Sequence, residues 1–473
     1  MQIRTRFSIS AELPRTAHEA LAALRARTLG AGELVEAAIG RIGVDSTLGA
    51  IELLDEDGAR EQALGADALL ASGEGGPLTG LPVLVKDVID VRGLPTRGGT
   101  ARWRRLPEHD ADCVAALRAA GAIVIGKGHT NELAVGIDGR NPHRPPCRNP
   151  HDPSTLPGGS SSGPAVAIAA GFVLGALGTD TSGSIRVPCA LCGIAGLRPT
   201  HGRLSRRGVL PLAPSYDVVG PLGPCVEDVR LLFAALVART GSQHNVPRAG
   251  THGEVETDGG EAIDHVTLIE NLLDPAVCEP AIAAAVRGAA EALERLGLAV
   301  DAVTIPELDD ALAVHRGAQL PEALASVLAL GVPEHELGRE VQERLRGARE
   351  IGPEHHARAL RERSGIARAL ERALAPAGAL LAPGSPVPAP PREAERCRLS
   401  SGRVRSQRDT LLSCTVPLTQ WPGPVLSVPL ARVGGMPVGA QLLARPGCDE
   451  RLLDLGVRLE EQLGAGTRAE SVL

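Results

Sequence analysis

Lysine is nearly missing from this 473-residue chain: Lys86 and Lys127 are the whole complement, and the other 47 of the 49 basic residues are arginine. Arginine serves wherever a permanent charge suffices, but a proton that must leave requires a desolvated lysine. Both lysines are therefore candidates for something other than surface charge. Aromatic residues are equally scarce: Phe7, Trp103, Phe172, Tyr216, Phe233 and Trp421 are all there are. The core must be aliphatic, and recognition of nucleic acid by base stacking has almost no material. Net charge is −7 and spread along the chain, so there is no basic footprint for nucleic acid or an anionic membrane, and neither is expected as a partner. Long hydrophobic runs are absent. The longest, Ala165 to Gly178, has 14 residues and three glycines, short of the ~20 needed to span a bilayer. Met1 to Pro14 holds no apolar run resembling a signal peptide. The nine cysteines are odd in number and scattered, which fits a reducing compartment better than a disulfide framework. A cytoplasmic protein is expected.

What is present is globular: 43% hydrophobic and 22% charged, with enough length for a large core. Thr16-Ala17-His18-Glu19 is a capping box for a helix to about Thr28, and Gly32 to Ile42 has a second helical period. Leu81 to Val91 reads as a buried strand, Asp112 to Ala120 as a helix and Ala122 to Ile125 as a strand. Asn141 to Gly163 is dominated by Pro, Asn, Gly and Ser, as functional loops are. A polar stretch from Gly241 to Asp264 reads as a linker, Val266 to Ile269 as a strand, and helical patterns run on to about Leu374. Leu380 to Ala382, Val425 to Leu430 and Val438 to Leu443 read as late strands, with a last helix from about Asp449 to Leu463. The pattern predicts one large α/β domain with a central mixed sheet covered by helices on both faces. Its parts are an N-terminal helical segment (1–60), a core carrying the chemistry (61–240), a variable, largely helical insertion (241–375) and a C-terminal part of the same domain (376–473).

Three short motifs tempt, and the context of each weakens it. Gly121-x4-Gly126-Lys127-Gly128 nearly matches a phosphate loop, but Gly128 stands where a hydroxyl should bind magnesium and the intervening residues are strand material. Gly159-Ser160-Ser161-Ser162-Gly163 has the form of a nucleophile elbow centred on Ser161, but Asn149-Pro150-His151-Asp152-Pro153 leads in where a strand is required. Cys189-Ala190-Leu191-Cys192 has no second cysteine pair at zinc-site spacing and reads as small core residues.

A separated constellation is stronger. Gly158 to Gly163 opens an apolar helix, so its backbone N–H groups form an anion-accepting concavity. Ser184 follows within Gly178-Thr179-Asp180-Thr181-Ser182-Gly183-Ser184-Ile185-Arg186. A helix of nine or ten residues rises about 14 Å and a strand of five returns about 16 Å, so Ser184 can come back beside Ser160. The small residues Thr181, Ser182 and Gly183 let the backbone turn its amides to one point, as an oxyanion hole demands. None of the thirteen histidines sits in a context that marks it as base. Lys86, in Val83-Leu84-Val85-Lys86-Asp87-Val88-Ile89, fills the vacancy: apolar neighbours desolvate the ammonium. Lowering it from ~10.4 to near 7 destabilises the charge by ~4–5 kcal/mol, within what burial supplies. A neutral lysine is then a general base.

At these residues the chain resembles the amidase signature family. The resemblance is carried by Gly80-Leu-Pro-Val-Leu-Val-Lys86-Asp, Gly158-Gly-Ser160-Ser-Ser-Gly, the segment Gly178 to Pro188, and Gly196-Leu-Arg-Pro-Thr200-His-Gly-Arg203, with looser matches at Leu380 to Pro388 and Met436 to Leu442. It implies that Ser184 is the acyl-forming nucleophile, that Ser160 relays its proton through a cis peptide, and that Lys86 is the ultimate base. Backbone amides around Thr181 to Ser184 would form the oxyanion hole, with Ser161, Asp180 and Arg186 in support. The implied reaction is hydrolysis of a small carboxamide through an acyl-enzyme, releasing ammonia or an amine, with no metal or cofactor. Kept beside it are a glutaminase-type amidotransferase subunit working with partner subunits, a non-catalytic scaffold of the same fold, and a hydrolase using Ser161. A homodimer would be unremarkable. The chain departs from the family pattern at Gly126-Lys127-Gly128-His129-Thr130-Asn131-Glu132 and at His201. His129 and His201 are read either as polar groups of the pocket or as ordinary loop residues.

Overall fold

The computed structural model describes residues 13–240, 262–375 and 378–464. The N-terminal residues 1–12 and all but the end of the expected linker at Gly241 to Asp264 lie outside the described residues. The strands, in chain order, are β1 (Ile51–Leu54), β2 (Pro82–Lys86), β3 (Ile123–Gly128), β4 (Gly175–Asp180), β5 (Ala195–Arg198), β6 (Val218–Gly223), β7 (His265–Ile269), β8 (Ala299–Val303), β9 (Ala379–Pro383), β10 (Arg396–Arg398), β11 (Val404–Ser406), β12 (Val425–Val433) and β13 (Met436–Ala444). Eleven of them form one mixed sheet in the order β1-β3-β2-β4-β6-β5-β12-β13-β9-β7-β8, while β10 pairs with β11. At one end β2 runs parallel to β3 and β4, and near the other β7 runs parallel to β8 and β9. Antiparallel pairings through β6, β5, β12 and β13 join the two parallel groups.

Glycines in β4 show that helices cover both faces. A Cβ on Gly178 would meet Ser161, at the start of helix Ser162–Ala169, at 2.8 Å, whereas one on Gly175 would meet Leu232 of helix Val226–Thr240 at 3.0 Å. These positions have opposite parity in one strand and so point to opposite faces. Helix Arg186–Cys192 lies on the first face, where Ala190 touches Gly439 of β13. Helix Asp449–Leu463 lies on the second, its Gly456 placed against Leu426 of β12. Strands covered on both sides need apolar residues at every position, which is why β2 reads Pro-Val-Leu-Val-Lys and is buried throughout.

The structure departs from the sequence expectation where burial and conformation part company. The strand expected over Leu81 to Val91 ends at Lys86: Ile89 N–H turns back to the Lys86 carbonyl at 3.0 Å, and Val88, Ile89 and Val91 are core residues of a buried turn. β6 carries Gly220, Pro221 and Gly223, residue types that punctuate loops elsewhere, and so gives no strand signal. Within the expected insertion, the described residues 262–375 are mostly helical, with helices Pro280–Arg295, Ala311–Leu328, Arg339–Arg349 and Pro353–Leu374, and they also supply β7 and β8 to the sheet. Among the described residues no helix is long and apolar enough to cross a membrane.

Candidate active site

The carboxyl ends of the parallel strands β2 and β4 lie side by side, and the chain leaves each of them carrying polar groups. Lys86, last in β2, is fully buried, and its Nζ donates to Ser160 Oγ at 2.7 Å and to Thr179 Oγ1 of β4 at 2.8 Å. Both acceptors are neutral hydroxyls. Burial pushes the ammonium down to about 7, against the pull of the Asp180 and Asp217 carboxylates. Ser160 follows a cis peptide bond from Gly159. It sits just before helix Ser162–Ala169, which packs close to the sheet because Gly163 lies against the His129 amide with no room for a side chain. Ser161 N–H donates to the Ser184 carbonyl at 3.2 Å, so helix and strand bring the two serine-bearing loops together.

The loop after β4 is held from below by charge. Asp180 is fully buried and accepts from Arg186 Nε and Nη2, both at 3.0 Å, and from Arg198 Nη1 at 3.3 Å. Burial alone would raise the Asp180 carboxyl, but the two guanidiniums hold it well below the ordinary carboxylate range. Arg186 is fixed in turn by the Thr415 carbonyl at 2.8 Å, Gln441 Oε1 at 3.0 Å and Thr419 Oγ1 at 2.7 Å. Thr181 Oγ1 donates to Asp217 Oδ1 at 2.5 Å, and Thr415 Oγ1 donates to the Ser182 carbonyl at 2.8 Å. Gly183 has φ of +139°. Among the described residues, the backbone N–H groups of Ser182, Gly183 and Ser184 have no acceptor. Three donors without partners beside a hydroxyl are suited to receiving a developing oxyanion.

Thr181, Ser182 and Ser184 line a cavity. Its other walls are chiefly aliphatic, Leu212, Leu320 and Val341 among them, with Gln319, Arg344 and Arg408 as polar exceptions. Helix Ala311–Leu328 brings a residue the sequence did not mark, His315, whose Nε2 lies 2.7 Å from Ser182 Oγ. Burial, aided by Arg363, Arg408, Arg198 and Arg186, lowers His315 to about 3, so it is neutral.

The remaining candidates have other duties. Ser161 Oγ is buried and donates to the Thr179 carbonyl at 3.1 Å, away from the cavity lining. His129 is buried behind the serine loop with Nδ1 2.9 Å from Ser162 Oγ, and burial lowers it to about 4. His201 Nε2 meets the Pro214 carbonyl at 3.0 Å, and burial lowers it to about 4 as well. Neither lines the cavity. Lys127 is buried in an ion pair with Asp87 at 3.1 Å. Cys189 and Cys192 are buried free thiols. Among the described residues, His18, Cys225 and Asp228 have potential ligand atoms within 4.8 Å of one another. There Asp228 Oδ1 already accepts from the His18 amide at 2.9 Å and faces its Nδ1 at 2.8 Å, fastening helix Ala17–Arg25 to helix Val226–Thr240.

Fold and buried cluster together define an α/β protein with a lysine and serines at the carboxyl ends of parallel strands. The family model described as "Amidase" matches residues 33–453, and the chain belongs to that family, hydrolases acting on amide C–N bonds. A glutamyl-tRNA(Gln) amidotransferase subunit from Symbiobacterium thermophilum is 35% identical over 468 residues, covering 90% of this chain and 92% of the relative. Of solved structures, a crystal structure of an amidase superposes with TM-score 0.85 at 35% identity, over 95% of this chain and all (100%) of the other. The peptide amidase from Stenotrophomonas maltophilia superposes with TM-score 0.78 at 27% identity, over 96% and 98% of the two chains.

Proposed function

We propose that this chain hydrolyses a small carboxamide through an acyl-enzyme on Ser184. Ser184 Oγ attacks the amide carbonyl carbon while its proton passes through the Ser160 hydroxyl to neutral Lys86. The carbonyl oxygen, now anionic, is received by the N–H groups of Ser182, Gly183 and Ser184. The proton returns to the nitrogen, the C–N bond breaks, and ammonia or an amine leaves. Water activated by the same relay then releases the acid and restores Ser184. The observation that carries this reading is a fully buried lysine, lowered to about 7, bonded at 2.7 Å to a serine hydroxyl instead of a carboxylate. Asp180, with Arg186, braces the loop that presents Ser184, and the aliphatic cavity walls favour an aliphatic acyl chain.

A second reading has one observation in its favour: the S. thermophilum relative is named as part of an amidotransferase, which on that reading would make this chain dependent on partner subunits. Ammonia release separates the two. The purified chain is offered a panel of small carboxamides including glutamine. Release that disappears in Ser184→Ala and Lys86→Ala supports a stand-alone amidase. Release seen only when partner subunits are supplied supports the amidotransferase. Turnover unaffected by Ser184→Ala would overturn the proposed nucleophile.

A further inference from the structure

Hydrogen bonding around His315 settles which of its nitrogens carries the proton, and that decides what Ser182 has left to give. Gln420 is buried, and its Nε2 lies 3.0 Å from the Val416 carbonyl, an acceptor only, so that end of the side chain is the amide NH2. The same Nε2 lies 3.3 Å from His315 Nδ1. Nδ1 therefore accepts, and the neutral ring carries its proton on Nε2. Tyr216 holds the ring from the side, edge-on at 4.7 Å between centroids. The His315 Nε2–H donates to Ser182 Oγ at 2.7 Å. Ser182 is thus an acceptor in this bond, and its own O–H has no acceptor among the described residues. The Ser182 side chain is part-exposed on the cavity wall that Ser184 shares. Thr181, the neighbouring hydroxyl on that wall, already donates its hydrogen bond to Asp217.

We infer that Ser182 donates a hydrogen bond to an oxygen carried by the acyl part of the substrate, with His315 and Gln420 as positioning residues that keep that proton free for the ligand. Acyl chains with an ether, hydroxyl, carbonyl or carboxylate oxygen at the matching depth are then favoured over hydrocarbon chains of equal length. The inference rests on the proposed attack by Ser184. It also places a determinant of substrate choice on helix Ala311–Leu328, far along the chain from the serine motifs.

The test uses the purified full chain and a short series of alkyl fluorophosphonates in which an ether oxygen replaces one methylene at successive positions. Labelling forms an Oγ–P bond at serine as the P–F bond breaks and fluoride leaves, with the hydroxyl proton passing to the base. Rates are read by intact mass, and the labelled residue by peptide mapping. In the wild type, one oxygen position should label Ser184 about fivefold to tenfold faster than the all-carbon probe, the effect of about one hydrogen bond. Ser182→Ala should bring that ratio to near one, while Ser182→Thr, which keeps the hydroxyl, should preserve it. His315→Phe should lower the ratio and His315→Gln, which keeps a donor at that place, should restore it. A structural role for His315 would slow all probes alike and leave the ratio untouched. Labelling of Ser184 with no favoured oxygen position, or a preference that survives Ser182→Ala, overturns this inference alone. Absence of Ser184 labelling by every probe in the wild type overturns the proposed reaction and this inference with it.

Discussion

On the proposed mechanism the unprotonated form of Lys86 carries the reaction, so the rate should follow its ionisation. Burial lowers the group from 10.5 to about 7, which corresponds to about 5 kcal/mol of destabilised charge. At pH 7 about half of the lysines are then neutral, against about one in 3,000 for an unperturbed side chain. The rate of Ser184 labelling by a fluorophosphonate should rise about tenfold from pH 6 to pH 8 and level off above it. The same shift makes a stability statement. Between about 7 and 10.5 the unfolded chain holds the proton that the folded chain has released, so stability rises with pH across that window. Below pH 7 the full penalty of burying the charge is present. Lys86→Met should therefore abolish labelling and yet raise Tm, most at pH 6, with the advantage over wild type closing towards pH 10. A labelling rate flat from pH 5.5 to 8.5, a midpoint near 10, or a Met variant that labels normally would refute the reasoning.

Other substitutions test the scaffold around that group. Asp180→Asn leaves Arg186 and Arg198 buried without a counter-charge, and should cost about 3–5 kcal/mol in urea unfolding. The Asp180 carboxyl is held below its ordinary value, so its contribution is present above pH ~4 and lost in more acid solution, and the gap between variant and wild type should shrink there. Gly183→Ala sets a Cβ 2.5 Å from Thr415 Oγ1 at φ of +139°, and the displaced amide should slow labelling about 10²-fold or more. Lys127→Met strands the buried Asp87 carboxylate and should lower stability by about 3–5 kcal/mol, while the folded protein still labels at Ser184.

Legibility in the sequence follows from where the signal resides. Lys86 could be singled out because a charged residue at the end of an apolar run is locally odd, and Ser160 and Ser184 because glycine-rich loops flank a helix and a strand of known rise. Thr179 and Asp217, which the structure places on Lys86 and Thr181, lack such a local contrast. His315 lies 133 residues from the serine it touches, in an ordinary amphipathic helix, and only the packing of that helix over the loop gives it a role. The same distinction explains the elements. Asp449–Leu463 is a helix over the very residues its periodicity marks, whereas hydrophobicity over Leu81 to Val91 reports burial and is silent on the turn after Lys86.

The two lysines show how partner chemistry, not burial, separates a reactive amine from a structural one. Val85 pairs with Lys127 across β2 and β3, so Lys86 and Lys127 are near neighbours in one sheet, and both are lowered first by desolvation. Lys127 meets the Asp87 carboxylate at 3.1 Å, whose charge and hydrogen bond oppose the shift and favour a permanent ammonium. Lys86 meets hydroxyls of Ser160 and Thr179. The carboxylate that pulls hardest on Lys86, Asp180, is already bound by two arginines. Hydroxyls accept from an ammonium and donate to an amine with little difference in geometry, so they tolerate both protonation states; a carboxylate tolerates one. Exchanging the partners is therefore the sharpest test of this argument. Thr179→Asp should tie Lys86 in an ion pair, raise its pKa back towards the ordinary value, and move the midpoint of the labelling profile upward by more than one pH unit. A profile that stays centred near 7 in that variant would mean that the partner does not govern the lysine.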